Sequence, residues 1–307
     1  MANHKKPTLI YILAPSFSGS TLLTMLLARH PLIATIGELN FKNERWDMDL
    51  FRCSCGELAR RCSFWNRLSN ICAERGLVFS VDNFDTSIDS KDWIADKLLK
   101  ATYRNRIFTA ARLSLINLIP GAANELRDKI KRIFEVGQAI CEAQNGRVIL
   151  DGSKSAVRLF YFIKSEMWDV KVIYLTRDGR GVTYSNMCNR KLAFRDAMRL
   201  WKRVAGELLR FRSTLPPASV IDVKYEDLCR NPSVTLSSIL ESFDLPEFEI
   251  VGSELEANKK HIMGNVMRLT FQSEIKEDER WKTALTKREL QIFEQRASDL
   301  NRRLGYS

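Results

Sequence analysis

The amino-acid sequence predicts an α/β protein with a central parallel β-sheet flanked by helices. Short runs of apolar and β-branched residues without charge recur along the chain, which is typical of strands buried on both faces. Segments with apolar residues at helical spacing separate these runs, and such alternation indicates βαβ units. The five predicted strands are residues 8–14, 32–36, 147–151, 169–176 and 218–224.

The length of 307 residues fits one large α/β domain or two small ones, and we predict a single domain over residues 1–307. Residues 66–145 contain no predicted strand and are expected to be mostly helical, with a break at Pro120-Gly121. We interpret this stretch as an insertion that covers the ligand crevice and shapes an acceptor pocket. The net charge of +11 indicates acidic ligands, such as nucleotides and phosphorylated or sulfated groups.

The sequence gives no sign of secretion or of membrane insertion. Residues 1–7 are polar and the apolar run after them is short, so no secretory signal peptide is predicted. No apolar stretch is long enough to span a bilayer. Seven cysteines, an odd number, fit a reducing compartment. We therefore expect a cytoplasmic protein.

A loop rich in small residues follows the first predicted strand. The segment Pro15-Ser-Phe-Ser-Gly-Ser-Thr21 holds four hydroxyl side chains and one glycine, and an apolar helix is predicted from Leu22. A helix N-terminus offers unpaired backbone N–H groups and about half a positive charge. The loop is therefore predicted to bind a phosphate or sulfate. The alternative is an ordinary turn in which Ser18 or Ser20 caps the helix.

This loop differs from the Walker A motif, which requires Gly-x4-Gly-Lys-Ser/Thr. Ala14 stands at the first glycine position and Ser20 at the lysine position. A nucleoside triphosphatase is therefore disfavoured. Residues Val148–Asp151 nevertheless resemble a Walker B strand, which keeps that alternative open.

Two charged residues follow predicted strands and could face the loop. Glu38 comes directly after Gly37 at the end of strand 32–36, and Lys154 comes shortly after strand 147–151. Parallel α/β sheets bind ligands outside the carboxyl ends of their strands. We therefore predict that both side chains point into one crevice. The alternative for each is a solvated turn.

A second phosphate-binding arrangement is predicted after strand 169–176. Arg177 stands at the carboxyl end of that strand, and Ser185 lies eight residues later, about two helical turns on. A guanidinium fork and a hydroxyl group so placed can hold one phosphate together.

Three cysteines lie close together in the segment Cys53–Trp65. Cys53, Cys55 and Cys62 suggest zinc, but structural zinc sites need four ligands, and neither a second cysteine pair nor a histidine is near in the sequence. We favour a structural cluster of small buried cysteines above Phe64 and Trp65. A disulfide between two of them is an alternative that a reducing compartment disfavours.

These motifs resemble those of PAPS-dependent sulfotransferases, which transfer a sulfuryl group from 3′-phosphoadenosine 5′-phosphosulfate (PAPS) to an acceptor. Residues 18–23, Ser-Gly-Ser-Thr-Leu-Leu, are similar to the family's 5′-phosphosulfate loop, and residues 172–185 to its 3′-phosphate motif. Residues 224–228 resemble the segment whose tyrosine lies near the adenine, and residues 264–282 the C-terminal loop that closes over the nucleotide. The resemblance implies a P-loop-like architecture. It also implies that the nucleotide is bound by Ser18, Gly19, Ser20, Thr21, Leu22, Arg177, Ser185, Tyr225 and Arg268.

The resemblance implies in-line displacement at sulfur, with Glu38 as the general base that deprotonates an acceptor hydroxyl. PAPS is then the donor and adenosine 3′,5′-bisphosphate the product, with no metal. Histidine is the base in some members, so His261 is a secondary candidate, whereas His30 next to Pro31 is expected to be structural.

The first loop departs from the family pattern at one position. Members usually carry Lys or Arg directly before the Ser-Gly of this loop, where this chain has Phe17. We expect Lys154 to supply the missing charge as a second catalytic residue, because a similar lysine approaches the phosphosulfate in some glycan sulfotransferases. Phe17 would then pack against the aliphatic stem of Lys154 or against the acceptor.

Two other functions remain open alongside sulfuryl transfer. One is a P-loop-type nucleotide kinase or triphosphatase, and the other is a non-catalytic nucleotide-binding homologue, which Phe17 suggests. The expected partner is a carbohydrate or small-molecule acceptor. Nucleic acid is not expected, because the basic residues map to helix faces without an aromatic ladder. The sequence does not define the acceptor or the oligomeric state.

Overall fold

A five-stranded parallel sheet with helices on both faces forms the centre of the protein, as predicted. The structure, a computed structural model, describes residues 6–40, 47–248, 261–263, 269 and 275–307. The strands are β1 (Thr8–Leu13), β2 (Ile33–Ala34), β3 (Val148–Asp151), β4 (Asp169–Thr176) and β5 (Val220–Lys224). They run in the order β2-β3-β1-β4-β5, and each neighbouring pair is parallel.

The central strand β1 is buried on both faces, which explains its uncharged apolar sequence. Leu9, Tyr11 and Leu13 point into one hydrophobic cluster. Ile10 and Ile12 point into the cluster on the opposite face, as the period of two in a strand requires. Because β1 lies between β3 and β4, the loop after β1 opens at the middle of the carboxyl edge of the sheet.

The helices cover both faces of the sheet. The described helices are α1 (Ser20–Leu27), α2 (Ser63–Glu74), α3 (Trp93–Lys100), α4 (Arg106–Leu118), α5 (Ala122–Ala143), α6 (Ala156–Ser165), α7 (Gly179–Arg190), α8 (Phe194–Arg212), α9 (Tyr225–Arg230), α10 (Pro232–Ser242), α11 (Trp281–Ala284) and α12 (Lys287–Arg303). Helices α1, α9 and α10 pack on the face of Ile10, and α2, α5, α6, α8 and α12 contribute to the cluster on the face of Tyr11.

The connection between β2 and β3 is helical where the sequence predicts it. Helices α2 to α5 fill most of residues 63–143, and the helical run breaks between α4 and α5 at Pro120-Gly121. Gly121 has φ 78°, a left-handed conformation that favours glycine, and it directly precedes α5. Among the described residues, no helix is both long and apolar enough to cross a membrane.

Strand β2 is shorter than the predicted run of residues 32–36. The Gln144 side-chain amide donates to the Thr35 carbonyl at 2.8 Å and accepts from the Thr35 N–H at 3.0 Å. The Thr35 hydroxyl group donates to the Leu150 carbonyl at 2.8 Å. These side-chain bonds replace the ladder beyond Ala34, so the backbone leaves the sheet and turns at Gly37.

Candidate functional site

The loop after β1 leads directly into the N-terminus of helix α1. Gly19 is the N-cap residue, with φ 84°, and no side chain caps the helix. The alternative in which Ser18 or Ser20 caps α1 is therefore wrong. The first N–H groups of the helix have no intrahelical partner, so they are available to an anion at this edge of the sheet.

Two further features of the loop are an unpartnered hydroxyl group and a tightly packed glycine. Ser18 is fully buried, and its Oγ has no hydrogen-bond partner among the described residues. Such an orphaned hydroxyl group is unusual in a folded protein. The Tyr225 ring packs on the loop so closely that a Cβ at Gly19 would collide with it, so glycine is required there. The unpartnered Ser18 hydroxyl group is the feature that fits an anionic ligand.

Glu38 and Lys154 meet at this loop, where their side chains form an ion pair. Lys154 is 18% exposed and Glu38 33% exposed, so the pair is only partly solvated. Both follow strand ends, which is why the topology brings them together. Glu38 lines a narrow crevice in front of α1 with Ser20, Thr21, Thr24, Gly37, Gly152, Ile262 and Met263.

Buried hydrogen bonds fix the two loops that carry this ion pair. The Asp151 carboxylate accepts from the Leu39 N–H at 3.1 Å and from the Ser153 N–H at 2.9 Å. The Tyr11 hydroxyl group accepts from the Ser155 N–H at 2.9 Å and donates to the Ser155 carbonyl at 3.0 Å. Both side chains are fully buried, so the positions of the loops are tied to strands β1 and β3.

Arg177 lies on the other side of the loop. Its Nη1 donates to the Phe17 carbonyl at 2.9 Å and is 3.4 Å from the Ser185 Oγ. Its Nη2 donates to the Asp278 carbonyl at 2.7 Å and is 3.2 Å from the Asp278 carboxylate. The predicted neighbourhood of Arg177 and Ser185 is therefore present, and both side chains are buried.

Tyr225 and Asp278 complete this side of the site. The Arg177 guanidinium lies 4.5 Å from the centre of the Tyr225 ring, and the Tyr225 hydroxyl group accepts from the Asp278 N–H at 3.0 Å. Hydrogen bonding from Arg280 is the largest cause that lowers the pKa of Asp278 to about 2, and the charge of Arg177 adds to it. Burial opposes this effect but is outweighed.

The cation against the Phe17 ring is Arg190, a residue for which the sequence predicts no role in the site. The Arg190 guanidinium lies 5.6 Å from the centre of the Phe17 ring, and its Nη2 is 3.2 Å from the Ser16 Oγ. Arg190 is the last residue of helix α7, which begins just after Arg177. Arg190 therefore contacts the β1–α1 loop directly, whereas Lys154 is paired with Glu38.

The structure brings His261 to the three clustered cysteines. His261 Nδ1 is 3.3 Å from the Cys53 Sγ and 3.2 Å from the Cys62 Sγ, and its ring stacks on Phe64. Burial lowers the pKa of His261 and favours the neutral imidazole. No histidine is near these cysteines in the sequence, and the structure supplies one from a distant part of the chain. The expectation that all three cysteines are buried is wrong for Cys55, which is exposed. His261 itself is not among the residues that line the crevice at Glu38.

Roles are also predicted from the sequence for His30 and Arg268. His30 is buried, its Nε2 is 3.0 Å from the Pro246 carbonyl, and its Nδ1 accepts from the Leu32 N–H at 3.2 Å, so its role is structural as expected. Arg268 lies outside the described residues.

The parallel sheet, with a loop-to-helix junction at the middle of its carboxyl edge, defines an α/β protein of the P-loop-like class. A family model described as the sulfotransferase family matches residues 9–249. The chain belongs to the sulfotransferase family, and this membership supports a transferase function.

Solved structures of sulfotransferase domains resemble this one over nearly their whole length. A sulfotransferase domain from the curacin biosynthetic pathway superimposes with a TM-score of 0.55 at 19% identity, covering 99% of both chains. A sulfotransferase domain from the Synechococcus PCC 7002 olefin synthase gives a TM-score of 0.55 at 18% identity, covering 99% of this chain and 97% of that one. At these identities the likeness demonstrates a shared fold. A search of curated proteins found no match.

Proposed function

We propose that the protein transfers a sulfuryl group from PAPS to a hydroxyl group of a carbohydrate or small molecule. The observation that carries the proposal is that the β1–α1 loop lies between the Glu38–Lys154 ion pair and the Arg177–Ser185 pair. One side of the loop thus offers a base and a cation for chemistry, and the other side offers donors for a phosphate.

The residues around Arg177 suit the 3′-phosphate of the donor. A guanidinium and a hydroxyl group 3.4 Å apart can hydrogen bond to one phosphate. Tyr225 would pack beside the adenine, as the family resemblance implies. The Asp278 carboxylate is paired with the Arg177 guanidinium. A bound phosphate would therefore have to share the guanidinium with that carboxylate or displace it.

The loop from Ser18 to Leu22 suits the 5′-phosphosulfate. The orphaned Ser18 hydroxyl and the free N–H groups of the first turn of α1 are donors for its oxygens. PAPS supplies the sulfuryl group and the 5′-phosphate that leaves. As charge grows on the leaving oxygen, these N–H groups stabilise it without moving, because the fold already orients them.

Glu38 is the proposed general base. Its carboxylate takes the proton of the acceptor hydroxyl while the new oxygen–sulfur bond forms and the sulfur–oxygen bond to the leaving phosphate breaks. Lys154 holds the Glu38 carboxylate in place and contributes positive charge next to the loop. Arg190, against Phe17, is a second source of that charge. His261 is the weaker candidate for the base, because its Nδ1 faces cysteine sulfurs.

A cavity of about 400 Å³ beside Lys154 is a suitable acceptor site. Asn40 and Lys154 lie in its wall near the proposed base, and Leu99 and Thr102 from the helical insertion lie in the wall as well. This arrangement supports the interpretation of residues 66–145 as an insertion that shapes the acceptor pocket. Its mixed polar and apolar lining suits a small acceptor with hydroxyl groups.

The triphosphatase alternative depends on Asp151 as a Walker B carboxylate. Asp151 is fully buried, is paired with Arg158 at 3.4 Å, and accepts two backbone N–H groups. A carboxylate engaged in this way is a positioning group, and no feature of the described residues favours magnesium at this position.

Nucleotide binding is the first part of the test. Arg177→Ala should weaken binding of adenosine 3′,5′-bisphosphate by about 1.5–3 kcal/mol, the range for a hydrogen bond to a charged group. Binding of adenosine 5′-phosphate should change much less. Calorimetry with Arg199→Ala, an exposed arginine on α8, provides the control for lost charge. Equal losses for both nucleotides would remove the assignment of Arg177 to the 3′-phosphate.

Transfer of labelled sulfate from PAPS is the second part. A screen of hydroxyl acceptors with mass spectrometry of the product identifies a substrate, on which Glu38→Gln should lower turnover by about two to four orders of magnitude. Glu142→Gln, an exposed ion-paired glutamate, should leave turnover unchanged. Magnesium-dependent ATP turnover without sulfate transfer would support the kinase or triphosphatase alternative. Nucleotide binding with neither activity would indicate a non-catalytic homologue.

A further inference from the structure

Four soft ligand atoms meet at one point outside the nucleotide site. The Sγ atoms of Cys53, Cys55 and Cys62 and a ring nitrogen of His261 all lie within 4.8 Å of one another. We call these four residues the Cys3His cluster. Cys53 and Cys62 are buried, His261 is half-buried and Cys55 is exposed, so the cluster lies just beneath the surface.

Three of the distances between these atoms are close to the edges of a tetrahedron around one metal ion. Metal–sulfur bonds of about 2.3 Å and metal–nitrogen bonds of about 2.0 Å separate two sulfurs by about 3.8 Å, and a sulfur from a nitrogen by about 3.5 Å. Here the sulfurs of Cys55 and Cys62 are 3.7 Å apart. His261 Nδ1 lies 3.3 Å from the Cys53 sulfur and 3.2 Å from the Cys62 sulfur. An iron–sulfur cluster would need its ligands further apart, because they bind different iron atoms.

Two features of the surroundings favour negative charge on the sulfurs. The Trp65 indole N–H donates to the Cys53 Sγ at 3.4 Å. Cys62 is the N-cap residue of α2, where the helix dipole favours negative charge. Both features are independent of the distances between the ligand atoms.

We propose that the Cys3His cluster binds one zinc ion. Three thiolates and one imidazole are a ligand set of structural zinc sites, and Zn²⁺ prefers tetrahedral coordination. All four positions are filled by protein, so the ion has no open position and takes no part in chemistry. Its role is to join the segment 53–62 to residues 261–263, which lie far apart in the sequence.

Of the two segments that the zinc ion would join, residues 261–263 form one wall of the crevice at Glu38. The Met263 N–H donates to the Ile36 carbonyl at 2.7 Å, and the Ile262 N–H donates to the Ser54 Oγ at 2.8 Å. Ile262 and Met263 both line the crevice. Zinc would thus fix the wall that faces the proposed base, although zinc binding itself does not depend on the proposed sulfuryl transfer.

A disulfide is the competing state for these cysteines. A bond between Cys55 and Cys62 would need their sulfurs at about 2.05 Å, whereas they are 3.7 Å apart. A disulfide would also leave the His261 nitrogen facing sulfurs that can no longer act as ligands. The mass of the intact chain distinguishes the two states, because a disulfide removes two hydrogens.

Metal content of the purified full chain tests the proposal. Protein produced in zinc-supplemented medium should contain one zinc per chain by mass spectrometry of the metals. Replacement with Co²⁺ should give the visible bands of tetrahedral cobalt and a thiolate-to-metal charge-transfer band. Absence of stoichiometric zinc together with absence of the cobalt bands would overturn the proposal, as would a Cys55–Cys62 disulfide in protein purified without oxidant.

Ligand variants identify the residues that bind the metal. Cys55→Ser, at an exposed position that should tolerate substitution, and His261→Ala should both lose the zinc. His261→Cys should keep it, because Nδ1 is the ring nitrogen nearer the backbone and a thiolate can take its place. Cys72→Ser removes a buried cysteine outside the cluster and should leave the metal content unchanged. Retention of full zinc by both Cys55→Ser and His261→Ala would overturn the assignment.

Discussion

Two residues of the site, Phe17 and Lys154, adopt backbone conformations that most residues avoid. Their φ angles are 65° and 68°, in the left-handed region that favours glycine. Such conformations persist only where the surroundings impose them, and they concentrate at functional sites. At Phe17 the conformation presents the backbone carbonyl to Arg177, and at Lys154 it accompanies the ion pair with Glu38. Of the seven non-glycine residues with positive φ in the described part of the chain, these two lie at the proposed site.

The ion pairs of Asp278 predict a pH dependence of stability. The pKa of Asp278 is lowered to about 2, below the value of about 3.9 of an unfolded aspartate. A carboxyl group with a lowered pKa stabilises the fold fully above its unfolded pKa, and this contribution is lost as the pH falls from about 4 towards 2. We expect Asp278→Asn to flatten the fall in unfolding free energy over that range, measured by urea unfolding at a series of pH values.

The exposed Asp196, paired with Arg199 on helix α8, provides the matched control. Asp196→Asn should leave the curve of stability against pH almost unchanged, because exposed ion pairs contribute little. A curve for Asp278→Asn that runs parallel to that of the wild type would contradict the assignment.

Gly19 combines two requirements that only glycine meets. Its φ of 84° disfavours any side chain, and an added Cβ would also collide with the Tyr225 ring. Gly76 has φ 73° but open space around it, so Gly76→Ala should cost only the backbone strain, about 1–2 kcal/mol. Gly19→Ala should lower the free energy of unfolding by more than Gly76→Ala and should weaken nucleotide binding. Equal losses of unfolding free energy in the two variants, measured by urea unfolding, would mean that the Tyr225 ring moves away from the added methyl group at no cost.

At the scale of the elements, the ends of the parallel strands organise the site. Glu38, Lys154, Arg177 and Tyr225 each come within four residues of a strand end, and the β1–α1 loop itself follows β1. The alternation of strands with helices and the residues at which strands end can both be recognised locally in the sequence. These four residues could therefore be predicted from the sequence. The length of β2 could not be predicted from the sequence, because it depends on the Gln144 side chain, which reaches the strand from the end of α5.

The bond between strand β1 and the turn before helix α6 leads to a testable prediction. The Tyr11 hydroxyl group pairs with both the N–H and the carbonyl of Ser155 in a buried environment. Tyr11→Phe leaves two backbone groups without this partner and should lower the free energy of unfolding by about 1–3 kcal/mol. It should also lower turnover, because Lys154 precedes Ser155. Thermal and urea unfolding measure the first effect, and the transfer assay measures the second.

Tyr161→Phe removes one buried hydroxyl that donates to the Leu99 carbonyl at 3.1 Å. This variant loses a single hydrogen bond, so its free energy of unfolding should fall by less than that of Tyr11→Phe. The same loss in both variants would show that the Ser155 turn does not rely on Tyr11.

At the scale of the whole molecule, the contacts that sequence reasoning missed are those between distant segments. His261 reaches the cysteines from 208 residues beyond Cys53, and Asp278 lies 101 residues beyond Arg177. Arg190 faces Phe17 from the far end of α7. No periodicity or spacing encodes such pairs, because they arise only when the sheet and its helices have packed. In the sequence, residues 261–263 are a histidine followed by two apolar residues, and this pattern does not indicate which residues the histidine contacts.

The position of β1 at the middle of the sheet has a consequence for how the chain is made. Thr8 pairs with Val148 on one side and with Asp169 on the other, so β1 has no sheet neighbour when it leaves the ribosome. The intervening helices must be synthesised first, which takes on the order of ten seconds at about 5–20 residues per second. During that interval an uncharged strand and the apolar helix after it have no partner strand. We expect nascent chains of this protein to need a chaperone that holds extended apolar segments until β4 has emerged.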